Sequence, residues 1–297
     1  MDTLRSVVVG VDFTSCSKAA LAEAVRISSW NQASLRAVHV IEGLVLADLE
    51  EAVGVSDPRI REHVIEDARA AWKEFAASAA PGATIPLDVR IDHPAEGLVS
   101  AAREHRADLL VLGVYGTSSG TTAGAVAAHA VRRSPCRTML VRPNHAGRFR
   151  RVAIAVDFSP TSEEAILAGM RVAAQDDAEV HVLHVYQAPW SRLHYRAATP
   201  QATPDYRKQF LDGLQRRLEG FCRPRDAEVR WIKPTFHVLE HRSHGAGIVE
   251  FAGSSAADLV VLGTRGRTNL RDLFLGSTAE RVVRECPCSV LAVPPGA

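Results

Sequence analysis

Residues 107–116 read ADLLVLGVYG and residues 257–266 read ADLVVLGTRG, with seven of the ten positions identical. An apolar run bounded by Asp and Gly that occurs twice in one chain marks an internal repeat. The comparison extends outward from it. VVGVDFTSCS at 8–17 faces AIAVDFSPTS at 153–162, AVHVI at 37–41 faces VLHVY at 182–186, and SPCRTMLV at 134–141 faces CPCSVLAV at 286–293. The separations run from 145 at the start through 150 to 152 at the end, near half of the 297 residues. This is a tandem duplication, jointed at PNHAGRFR (143–150), where Pro, Asn and Gly interrupt the apolar pattern. The expected domains are residues 1–143 and 150–297.

Each half alternates strand and helix. In the second half, Val152–Val156 reads as a buried strand, and Ser159-Pro160 as a helix start with a capping hydroxyl and Pro at the first helical position. Strands are expected at Val180–Tyr186, 227–239, Leu259–Leu262 and Ser289–Val293, and helices at 205–222, 245–255 and 277–285. The first half is expected to repeat this order. Apolar strands separated by helical crossovers define the α/β class, here two tandem, doubly wound, five-stranded parallel sheets. With strand order 3-2-1-4-5, ligands bind beyond the carboxyl ends of the strands where the order reverses.

Composition narrows the function. Lys+Arg is 35 against Asp+Glu 34, so there is no general attraction to nucleic acid or to an anionic membrane. No apolar run approaches the roughly 20 residues of a membrane span. The N-terminus carries no basic-then-apolar leader, and five cysteines suit reduced thiols, so a cytoplasmic setting is expected.

The chemistry sits after the fourth strand of the second half. Gly263-Thr264-Arg265-Gly266 is followed by nine residues and then by Gly276-Ser277-Thr278 opening a helix. Glycines let the backbone approach an anion, and the first N–H groups of a helix favour a phosphate. Ser277 and Thr278 add hydroxyl donors, Arg265 and Arg267 are candidate phosphate contacts, and RTNLRDLFL (267–275) is long enough to arch over a ligand. The segment is neither a dinucleotide fingerprint nor a P-loop, which argues against a kinase or an NAD enzyme. Asp157, at the end of the first strand and beside the fourth, supplies a hydrogen-bond acceptor at the same crevice.

Two halves with V-D-F-[ST] after the first strand, H-V in the second, and A-D-L-[LV]-V-L-G before a Gly loop resemble the universal stress protein family, over nearly the whole chain. G-x2-G-x9-G-S at 263–277 is similar to the pattern of its ATP-binding branch. The resemblance implies an adenine nucleotide alpha hydrolase-like, Rossmann-like fold, with ATP (or AMP or ADP, with or without Mg) as ligand. It implies that Asp157 sits by the adenosine, that Val185 meets adenine through its backbone, and that Gly263, Gly266, Gly276, Ser277 and Thr278 hold ribose and phosphates. It also implies pairing through the last strand of each half, as a pseudo-dimer in one chain or as a homodimer, and a stress-response regulatory role through an unidentified signalling partner. No catalytic base is evident, so at most slow ATP hydrolysis is expected. A small-ligand or protein-interaction module on the same fold is the alternative.

The first half departs from this pattern. Asp12, Val40, Gly113 and Gly116 remain. If Gly124 matches Gly276, the spacer shrinks from nine residues to seven and the Gly-Ser pair becomes Gly124-Ala125. Weaker nucleotide binding, another ligand, or none is expected there. Gly116-Thr117-Ser118-Ser119-Gly120 matches a hydrolase nucleophile elbow, with Ser118 as its nucleophile, but more Gly and Thr follow where a helix should begin. His237, Glu240, His241 and His244 read as ordinary surface or loop residues rather than a zinc site. His39 and His184 read as packing or hydrogen-bonding residues, and Cys286 and Cys288 as buried thiols. Gln187–Arg207, with several Pro and aromatic residues, reads as a long connection near the expected adenine.

Overall fold

The computed structural model describes residues 4–53, 58–115, 124–192, 204–222, 231–266 and 275–296. It comprises two compact units, Met1–Gly147 and Arg148–Gly296. In the first, the strands are β1 (Ser6–Gly10), β2 (Ser34–Glu42), β3 (Leu87–Asp92), β4 (Leu109–Gly113) and β5 (Arg137–Val141). They are joined by α1 (Ser15–Asn31), α2 (Gly43–Val53), α3 (Pro58–Ala79), α4 (Pro94–Glu104) and α5 (Ala125–Arg133). The second contains β6 (Arg151–Ala155), β7 (Glu179–Tyr186), β8 (Thr235–Glu240), β9 (Leu259–Gly263) and β10 (Ser289–Val293), with α6 (Pro160–Asp176), α7 (Pro204–Phe221), α8 (His244–Ser254) and α9 (Ser277–Glu285).

All pairings within each unit are parallel, in the orders β3-β2-β1-β4-β5 and β8-β7-β6-β9-β10. This is the expected doubly wound arrangement. The stretches that reveal the repeat become β4 and β9, lying between β1 and β5 and between β6 and β10. Leu109–Leu112 and Leu259–Leu262 are buried on both faces, which is why they show no alternation. The Asp before each run has its own task. Asp108 accepts hydrogen bonds from the backbone N–H of Arg5 (2.6 Å) and Ser6 (3.0 Å), and Asp258 from those of Arg150 (2.7 Å) and Arg151 (3.0 Å). Each carboxylate thereby ties the start of β4 or β9 to that of β1 or β6.

Helix starts follow their sequence signals. Thr14 and Ser159 cap α1 and α6 by accepting from the N–H of Ser17 and Ser162, and Pro58, Pro94, Pro160 and Pro204 each open a helix, where a missing N–H costs nothing. Two expectations need correction. The strand read over 227–239 is confined to Thr235–Glu240 among the described residues, because Pro234 cannot donate to a ladder and sits before the strand, as Pro86 does before β3. The halves also differ after their second strands. The first unit carries α2 and α3, whereas the second has a 3-10 turn at Pro189–Arg192 and then α7, whose Pro204 start lies inside the stretch read as a long connection. Among the described residues no helix is long and apolar enough to cross a membrane.

Because each Asp satisfies two backbone donors, Asp108→Ala and Asp258→Ala should each lower the stability of their unit by about 1–3 kcal/mol. Urea unfolding checks this; an unchanged midpoint would show that the tie contributes nothing.

Candidate functional site

The carboxyl ends of β6 and β9 flank the point where strand order reverses, and a cleft of about 530 Å³ opens there. That is within the usual size of a small-ligand site. All eight candidates of the second half line it: Asp157, Val185, Gly263, Arg265, Gly266, Gly276, Ser277 and Thr278.

Asp157 follows β6. Its Oδ1 accepts from the Ser162 hydroxyl (2.5 Å) and the Ser159 N–H (3.0 Å), and its own N–H donates to Ser162 Oγ (3.0 Å). The carboxylate is held in one orientation by the first turn of α6. Oδ2 lies close to Gly266, where a Cβ would approach it to 2.7 Å. The next residue, Phe158, has φ 63, a left-handed conformation that a bulky side chain adopts only under constraint. Its ring packs on His184 (4.5 Å) and edge-on to Phe221 (5.5 Å), with the Arg217 guanidinium 4.1 Å from its centroid.

His184 Nδ1 lies 2.7 Å from the Val156 carbonyl, so it carries the proton and Nε2 is the acceptor. Burial pulls its pKa below the ordinary histidine range, outweighing the carbonyl contact. His39 makes the same contact with the Val11 carbonyl at 2.9 Å, so both histidines hold the hydrogen-bonding place expected of them. On the next position of β7, Val185 packs against α8, where a Cβ on Gly247 would lie 2.9 Å from its Cγ1.

The side of the cleft opposite α6 is built by the start of α9. Gly276, not Ser277, is its N-cap, with φ −61 and ψ 140 and no side chain to cover the first-turn N–H groups. The Gly276 N–H donates to the Thr264 carbonyl (3.0 Å) and the Thr264 N–H to that of Val293 (2.8 Å), which returns the chain to the end of β9. Gly263 allows this crowding: a Cβ there would come within 2.8 Å of Thr161 on α6. Arg267 and the remainder of the expected arch, except Leu275, lie outside the described residues.

Several cleft residues were not singled out from sequence. Thr264 lies between the named Gly263 and Arg265, and Ser162 had a readable signal, a hydroxyl five positions after Asp157. His244 and Ile248 come from α8. His244 is exposed, as expected of its surface cluster, and also lines the cleft. The others in that cluster hold to their neighbours: His237 Nε2 lies 2.9 Å from His181 Nδ1, Glu240 accepts from the Tyr186 hydroxyl (3.2 Å), and His241 Nδ1 lies 2.9 Å from the Ser243 N. All five cysteines are buried.

The first unit keeps the frame and changes the fittings. Phe13 has φ 62, and Asp12 Oδ1 accepts from the N–H (3.1 Å) and hydroxyl (2.6 Å) of Thr14, not from Ser17. Val40 packs against Gly97 as Val185 does against Gly247. Gly124 caps α5 and its N–H donates to the Val114 carbonyl (2.9 Å), so it occupies the place of Gly276 despite the shorter spacer. Gly113 abuts Cys16 instead of a Thr. Tyr115 stands where Arg265 does, with the Arg142 guanidinium 5.0 Å from its ring centroid. Gly116 and Ser118 lie outside the described residues.

Each unit is a doubly wound α/β domain with an aspartate and a glycine-capped helix start at its switch point. The chain belongs to the universal stress protein family, whose profile matches residues 3–142 and again 148–294. A universal stress protein of Mycolicibacterium smegmatis is 25% identical over 308 aligned positions, covering 99% of this chain and 98% of that protein. One from Methanocaldococcus jannaschii is 30% identical over 151 residues, which is 50% of this chain and 85% of that protein. The crystal structure of a universal stress protein from Archaeoglobus fulgidus superposes with a TM-score of 0.66 at 17% identity, covering 100% of both chains, a likeness of fold.

Burial makes His184 harder to protonate in the folded protein than in the unfolded chain. Its contribution to stability is complete above the unfolded value of about 6.5 and is lost as the pH falls from there through the lowered folded value. Thermal unfolding between about pH 7.5 and pH 5 should therefore show a shallower acid loss for His184→Asn than for the wild type. Parallel curves would contradict this.

Proposed function

We propose that the second unit binds an adenine nucleotide, ATP foremost, and that the chain acts as a nucleotide-dependent regulatory module in a stress response. One observation carries this reading: a carboxylate held by Ser162 and Ser159 faces an uncapped helix start across a cleft of about 530 Å³. Asp157 offers an acceptor for ribose hydroxyls or the adenine amine, and Val185, which lines the cleft, brings its backbone to where an edge of the base would lie. Gly263 and Gly266 keep the wall free of side chains. The first-turn N–H groups of α9, with the Ser277 and Thr278 hydroxyls and Arg265, suit the phosphates.

The first unit suits a triphosphate less well. Ala125 replaces Ser277 and removes a hydroxyl, and Tyr115 replaces the cation of Arg265. We assign the nucleotide to the second unit for that reason.

Gly276→Asp tests the reading. The backbone there is in the extended region, so Asp is tolerated and is itself a good N-cap. Its carboxylate would cover the first-turn N–H groups and repel phosphate. Equilibrium dialysis should show ATP affinity falling by at least about ten-fold, at little cost in stability. Unchanged affinity would remove α9 from the binding site.

A further inference from the structure

His244 is the first residue of α8, is exposed, and lies at the mouth of the cleft. Ile248, one turn further along the same face, is 4% exposed and lies deep. Val185 packs against α8 at Gly247, so buried apolar side chains line the cleft beside Ile248, and the exposed His244 stands nearer its mouth. The start of α8 also abuts the start of α9. A Cβ on Gly245 would come within 3.1 Å of the Thr278 carbonyl and 3.0 Å of the Arg281 side chain, and Arg281 Nη1 donates to Ser243 Oγ at 3.0 Å. Ser243 in turn caps α8 through the Ala246 N–H. The imidazole is thereby carried beside the helix start that faces the phosphates. In the first unit the first residue of the corresponding helix is Pro94, which has no donor.

We propose that His244 contacts the phosphate chain of the bound nucleotide, and that its protonation makes nucleotide affinity in the second unit rise as the pH falls. This rests on the nucleotide reading of the cleft. Of the charged groups around the cleft, His184 on β7, Asp157 after β6 and Arg265 after β9 line it with His244, Arg281 on α9 bonds to Ser243 beside it, Arg242 lies two positions before it, and Arg217 on α7 acts on His184. The arginines keep their charge, and burial makes His184 harder to protonate. An imidazole is the side-chain type that can add a positive charge near neutral pH, where the arginines do not change. A second cation beside Arg265 selects for more phosphate charge, so ATP should respond more than AMP, and uncharged adenosine least.

The test is titration of the full chain with ATP and adenosine at about pH 8 and pH 6, for wild type, His244→Gln and His244→Lys. Comparing variants at each pH cancels the titration of ATP itself. The ratio of His244→Gln to wild-type ATP dissociation constants should rise by about three- to ten-fold on acidification. His244→Lys should bind ATP at pH 8 about as tightly as the wild type does at pH 6, and adenosine should bind all three alike. A ratio that does not change with pH, or a lysine variant that binds like glutamine, overturns the role of His244 while leaving nucleotide binding intact. If the wild type binds no ATP at either pH, the nucleotide reading falls and this inference with it.

Discussion

The architecture of the candidate site depends on one steric constraint, the close approach of a helix start to the end of a strand. At Gly263 a Cβ would press into Thr161, and at Gly113 into Cys16. Only with no side chain there can α6 or α1 close over the ends of β9 or β4. That closure brings Asp157 and its serine partners to the switch point, and it lets the chain after β9 turn back so that Gly276 meets Thr264. Parallel strands, left-handed Phe158 and uncapped α9 all converge on this junction.

The duplication makes the second unit interpretable by contrast. Both units keep the Asp-Phe turn with positive φ, the histidine on a valine carbonyl, the valine against a helix glycine, and the glycine N-cap. Around the cleft the differences are Thr14 in place of Ser162 on the aspartate, Tyr115 for Arg265, Ala125 for Ser277, and Pro94 for His244. A frame retained with altered fittings is what two copies of one fold with different ligand preferences would show.

Much of this was legible in the sequence because it follows from short-range rules. Apolar runs buried on both faces, hydroxyl caps and opening prolines identify the elements, and the spacing of Gly263, Gly266 and Gly276 identifies the loop. The contribution of α8 was not legible. The histidines at its start read as surface or loop residues, and only the packing of Gly245 and Gly247 shows that α8 carries Ile248 into the cleft with His244 at its mouth. The extra helix α2 was also missed, since the second half offers no counterpart and tertiary packing decides whether an apolar stretch after a strand coils or continues.

The central claim is that the two units are unequal and that the second holds the nucleotide. Native mass spectrometry of the full chain with ATP at concentrations near its affinity tests it most directly. The account predicts one nucleotide per chain, lost in Gly276→Asp and retained in Gly124→Asp. Two nucleotides per wild-type chain, or a single one lost in Gly124→Asp instead, would contradict it.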